Sequence, residues 1–150
     1  SPCLYPAVTV QERVIRMYRR NHLSHHDAQA IVAAIQAVLE REGKDAAVAV
    51  VDAQGELIAF LRTDHCPLPS INNAIHKAYT AARERKPSAA IGRASREDGF
   101  PMTNFGDLRY TGWGGGVPIV HQGQVVGAVG VSGLPEAEDV RLAELGAAII

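Results

Sequence analysis

The chain has 150 residues, 47% hydrophobic and 21% charged, enough for one globular domain that buries roughly two thirds of the surface its unfolded chain exposes. A formal net charge of -1 without any long Lys/Arg run speaks against nucleic acid or an anionic membrane as main partner, and for a small neutral or weakly acidic ligand. No apolar run is long enough to span a bilayer and no signal-peptide pattern opens the chain, although a leader already removed would leave the same start; with Cys3 and Cys66 too few for a disulfide framework, the sequence reads as a soluble, cytoplasmic protein.

Thr9-Val10-Gln11-Glu12 has the form of a capping box, and Val10, Val14, Met17 and Tyr18 follow at helical spacing. The spacing predicts a short amphipathic arm helix within residues 1–23, whose stripe is too small to fold alone and must dock on the domain or on another subunit. Ser24 and Asp27 form a stronger capping box beside Leu23 and Ala28. A helix is therefore predicted from His25 to the stop at Gly43, with Ala28, Ile31, Val32, Ile35, Val38 and Leu39 facing inward. Residues 46–51 and 56–61 read as strands around Asp52-Ala53-Gln54-Gly55.

After Cys66-Pro67-Leu68-Pro69, Ser70 is placed to cap a helix carrying Ile71, Ala74, Ile75, Ala78 and Ala82 inward, until Lys86-Pro87 stops it; residues 88–96 add a shorter helix. Residues 97–113 read as a loop that gathers Phe100, Phe105, Tyr110 and Trp113. Two strands around Gln122-Gly123 follow. Along the second, Val125, Val129 and Val131 point one way and Val126, Ala128, Gly130 and Ser132 the other, which leaves one face nearly bare. Gly127 and Gly130 imply that a helix, a neighbouring subunit or a planar ligand comes close to it. Pro135 opens a last helix, with Glu136, Glu138 and Asp139 at its positive end. Hairpins joined through helices predict an α+β fold: an antiparallel sheet with flanking helices in a single layered domain, residues 24–150, preceded by the arm. Gly112-Trp113-Gly114-Gly115-Gly116 precedes a strand rather than opening a helix, so it is no phosphate-cradling fingerprint.

Ala49-Val50-Val51-Asp52-Ala53-Gln54-Gly55-Glu56-Leu57-Ile58-Ala59-Phe60, then Lys77-Ala78-Tyr79-Thr80-Ala81, Gly115-Gly116-Val117-Pro118-Ile119 and residues 126–133, taken in this order, resemble the GlcG/HbpS family, which includes the C-terminal domain of PduO-type adenosyltransferases. The resemblance spans residues 24–150. It implies a profilin-like or PAS-like sheet with flanking helices, a homo-oligomer and, as in several members, heme binding, with a histidine near the start of the first core helix as iron ligand in some. Here His25 and His26 stand at that location. Two departures are Arg62-Thr63-Asp64-His65, where the family usually has Arg-x-Asp-Gly, and the arm before Leu23.

A helix N-terminus disfavours protonation of histidine, and heme iron needs a neutral imidazole or a thiolate. On a helical wheel His25 lies towards the buried stripe and His26 roughly opposite. Cys66-Pro67 resembles a short heme-regulatory motif, though a loop-stabilising role explains it more simply. Asn72, His76, Tyr79 and Arg83 form a polar stripe beside the core face of their helix. Lys77 and Arg62 are candidates to hold a heme propionate or a ligand carboxylate, while Trp113 with Gly115 and Gly116 offers an aromatic beside bare backbone for a flat molecule. His121 is expected to be exposed beside its turn. Three readings stand: a small oligomeric heme-binding protein acting in sequestration, sensing or delivery; an enzyme of small-molecule catabolism acting on an organic acid near Arg62, Asp64, Lys77 and the Gly114–Gly116 loop; and a cofactor-free oligomerisation module.

Overall fold

Ser24 starts the first helix by accepting the Asp27 amide at 3.1 Å, and Gly43, at φ 64°, ends it in the left-handed conformation. This is α1, His25–Glu42. The computed structural model of the protein describes residues 4–7 and 10–150. The strands β1 (Ala47–Asp52) and β2 (Leu57–Arg62) form the first hairpin, and β3 (Gly116–His121) and β4 (Gln124–Ser132) the second. All neighbours are antiparallel, in the order β2-β1-β4-β3. Helices α2 (Pro69–Glu84) and α3 (Ser88–Glu97) and a single 3-10 turn (Met102–Phe105) lie between the hairpins, and α4 (Glu136–Ala147) closes the order. No helix among the described residues is long and apolar enough to cross a membrane.

The two faces of the sheet are covered differently. Ile31, Ile35 and Leu39 of α1 and Leu142 of α4 pack with Val48, Val50, Ile119, Val129 and Val131, a core of large aliphatic side chains. On the opposite face Ala74, Ala78, Ala81 and Ala82 of α2 meet Ala47, Ala49, Val51 and Ala128. The strict alternation expected along β4 fails at its start. Register slips between Ile119 and Val120 leave Val126 as an extra residue, and this bulge turns Val126 onto the aliphatic face with Val129 and Val131. Ile58 is the bulged residue of β2 and packs on the same face.

Two helix expectations need correction. Residues 10–22 carry no helix; Thr9, its expected cap, lies outside the described residues, as does Cys3. Val10, Val14, Met17 and Tyr18 are 79–89% exposed, so the stripe has no packing partner, and a stripe that short does not sustain a helix without one. Ser70 is not a cap: α2 starts at Pro69, with proline in the first turn and no side-chain cap.

Candidate functional site

The bare face of β4 is occupied by α2. A Cβ placed on Gly130 would lie 2.0 Å from the Ala74 carbonyl oxygen, and one on Gly116 2.2 Å from that of Lys77, so the missing side chains let helix backbone lie directly on the strands. Gly115, at φ 122°, fits between the Val131 carbonyl and Lys77 Nζ. The cradle for a flat ligand expected at Gly115 and Gly116 is thus filled by the protein's own helix.

This close approach carries Lys77 into the interior, 3% exposed. Its Nζ donates to the Val131 carbonyl at 3.0 Å and to Asp139 Oδ2 at 3.1 Å. Asp139, in the first turn of α4, also accepts the Leu134 amide at 3.1 Å. Burial is the largest influence and leaves its carboxyl raised, with the Lys77 ammonium and the amides acting against it. Beside the pair opens a cavity of about 290 Å³ lined by Ser70, Asn73, Trp113, Gly114, Ser132 and Glu136 among others. Trp113 stands 63% exposed rather than plugging the core. Its loop is pinned by Ser88, whose hydroxyl donates to the Trp113 carbonyl at 2.6 Å and accepts the Gly116 amide at 2.9 Å, and by Glu136, which accepts the Gly114 amide at 2.6 Å. With its charge met by Asp139, Lys77 is not a free anchor for a carboxylate or propionate.

Arg62 and Asp64 line another cavity, of about 440 Å³, with Gln36, Lys44 and His65. The organic-acid pocket expected from Arg62, Asp64, Lys77 and the glycine loop is therefore divided: Arg62 ends an edge strand, whereas Lys77 belongs to α2 and points into the interior. Cys66 is buried, which pushes its thiol pKa up, with the Asp45 charge acting in the same sense. This is the opposite of what a thiolate ligand needs.

The α2 stripe became a cluster. Tyr79 is buried and donates to Asp107 Oδ2 at 2.5 Å; Arg109 and Arg83 lie over its ring at 4.1 and 5.1 Å, and Tyr110 meets it edge-on. Burial, then the bond to Asp107, pushes the Tyr79 hydroxyl up to about 12. The Arg109 guanidinium, with the Tyr79 hydroxyl, holds Asp107 well below the usual carboxylate range. Half-buried His76 is lowered by burial, then by Arg109. Sequence reading missed Asp107, Arg109 and Asp139 as partners, because each reaches its helix from a distant segment; only the charged first turn of α4 was a signal for Asp139.

His25 and His26 are both exposed, with ring centroids 4.1 Å apart and tilted by 36°. The inward turn expected of His25 is not observed, the first buried residue of α1 being Ala28. Neither imidazole has a hydrogen-bond partner among the described residues. The amide of Leu23 donates to the Val126 carbonyl at 2.9 Å, which sets the start of α1 at the hairpin end of β4. A cavity of about 280 Å³ lies there, lined by His22, Leu23, Asp27, His121, Val126 and Ile150 with Asn21; His121 is exposed, as expected. Lys77 meets β4 five residues further on, at Val131, roughly 16 Å away at about 3.3 Å per residue, and on the face that α2 covers. One chain does not bring the histidines and the Lys77–Trp113 group into a single site.

Comparison with known proteins adds the lineage. The family described as "Haem degrading protein HbpS-like" matches residues 23–148. Protein GlcG of Escherichia coli K12 is 37% identical over 116 residues, which cover 73% of this chain and 81% of GlcG. Streptomyces reticuli HbpS, solved as a double mutant, superposes with a TM-score of 0.80 at 28% identity, covering 97% of this chain and 98% of that one. The chain of the PduOC:Heme complex superposes at 0.78 with 23% identity, covering 86% and 95%, a likeness of fold.

Proposed function

The chain belongs to the HbpS-like family, and from that premise we propose that it binds heme, with His25 or His26 as the iron ligand at the N-terminal end of α1. The observation that carries this reading is the pair of adjacent, exposed imidazoles without hydrogen-bond partners among the described residues. Family membership and the likeness to HbpS support the choice of heme over another metal group.

The donor set fits: imidazole is a heme axial ligand, and the cavity lined by Leu23, Asp27, Val126 and Ile150 opens at the same end of α1, although His25 and His26 are not part of its lining. Heme bound there would supply a redox-active iron. The chain's own part would be to present the imidazole and to keep the helix start rigid through the Ser24 cap. Arg62 and Lys77 take no part within the same chain.

Titration of the purified protein with hemin tests the reading. A saturable Soret band is expected in the wild type, with its position changed in one of His25→Ala and His26→Ala and the band lost in the double variant. Both residues are exposed, so folding is unaffected. A saturable band that is identical in the double variant rejects the histidines as ligands, and absence of saturation in the wild type rejects heme.

A further inference from the structure

The arm before α1 is the segment that the fold leaves over. Val10, Val14, Ile15, Met17 and Tyr18 stand 79–89% exposed, and Arg20 ties the arm to the body by donating to the Val125 carbonyl at 3.2 Å. Arg13, Arg16, Arg19 and Arg20 against Glu12 give residues 1–22 a formal charge of +3; since the whole chain carries -1, residues 23–150 carry -4. A basic, apolar arm thus stands off an acidic body.

On that body, apolar and acidic character meet at the mouth of the Lys77–Asp139 cavity. Trp113 is 63% exposed there, Leu68 is 72% exposed next to the lining Pro67, and Glu136 is exposed. Lys77 is the single cation of the lining and is neutralised by Asp139, which leaves the Glu136 carboxylate, held by the Gly114 amide, without a cation partner among the described residues. We propose that this mouth receives the arm of a second copy of the chain, an arm arginine lying over the Trp113 indole and against Glu136 while the valine, isoleucine and methionine side chains cover the apolar rim. Charge complementarity selects a second copy as the occupant. A small anion would meet a net negative lining, and on its own chain the arm meets the body only towards its end, where Tyr18 and Arg20 share a cavity with Ala53 and Glu56, away from this mouth. The inference is independent of heme and is tested on heme-free protein.

Trp113 is the single tryptophan, so its emission reports the mouth directly. At high protein concentration the emission of the full chain is expected to be blue-shifted. Dilution or molar salt moves it to the red as mass falls by light scattering, since exposed charge pairs are screened. Arg13→Glu/Arg16→Glu is expected to raise the dilution midpoint about tenfold or more, and adding Glu136→Arg to that variant to restore it. Val14→Asp/Met17→Asp, checked for folding by circular dichroism, loosens the apolar half. The proposal is overturned if Trp113 emission is the same in wild type and arm variants. It is also overturned if the blue shift is independent of concentration, which places the arm on its own chain. A third refuting result is that arm charge reversal abolishes binding to phosphatidylserine/phosphatidylcholine vesicles while leaving Trp113 unmoved, which assigns the arm to a membrane.

Discussion

The two faces of the sheet are built on opposite principles. Under α1 and α4 the space is filled by Ile31, Ile35, Leu39, Leu142 and the valines of β1 and β4; under α2 it is nearly abolished, with alanines and Gly130 letting helix backbone touch strand backbone. The first face is stabilised by apolar area removed from water. The second depends on the absence of volume, and it is this closeness that carries Lys77 through to Asp139 and shapes the cavity below Trp113. A face made of small residues is therefore as specific as a face of large ones, and it fails to the opposite kind of mutation.

The largest effect tests the charge that the close packing buries. Lys77→Ala leaves Asp139 buried without its cation and is expected to cost about 3–5 kcal/mol in urea unfolding, whereas Lys77→Met/Asp139→Leu recovers much of that loss. Equal losses in both variants would show that packing at Lys77, not its charge, matters. Next comes the aliphatic face: Ile35→Ala, at a fully buried position, is expected to cost about 3 kcal/mol through lost transfer energy and a residual cavity. On the alanine face the damaging change is enlargement, and Gly130→Ala is expected to cost about 1–3 kcal/mol, because α2 must lift off β4. A neutral Gly130→Ala would break the contrast between the faces.

The smallest effect sharpens it at Tyr79, on the polar edge of α2. Of the four tyrosines, Tyr79 should ionise at about 12, and Asp107→Asn should bring that step down in an ultraviolet titration. The folded value lies above the ordinary value of 10.0, so this stabilisation is complete below pH 10 and is lost as pH rises through about 12. A single tyrosine step near pH 10 would show that burial and the Asp107 bond do not hold in solution.

Much of the architecture was legible because its signals are local. Ser24 and Gly43 bracket α1, Lys86-Pro87 stops α2, and Gln122-Gly123 turns the second hairpin, each through backbone chemistry contained within a few residues. What misled was also local reasoning applied too far. The Val10–Tyr18 stripe has helical spacing but no partner, Ser70 sits one residue inside a helix that Pro69 begins, and the alternation of β4 is broken by a bulge whose cause lies in pairing with β3. That His25 and His26 stand at the start of α1 could be read in advance because the Ser24 cap is a sequence signal; their choice as ligands rests on the family resemblance. The partners of Lys77 and Tyr79 could not, being 62 and 28 residues distant.

The sequence by itself determined the element order, the α+β class, the small-residue face and the family resemblance, since patterning, caps and turns act over short stretches of chain. Only the tertiary structure decided what covers that face. Hydrogen-bonded backbone of α2, not a ligand, fills it, because glycine and alanine permit contact without naming the partner that makes it. The same packing sets Lys77 against Asp139 and leaves His25 and His26 at the far end of β4, a separation that no spacing in the chain records.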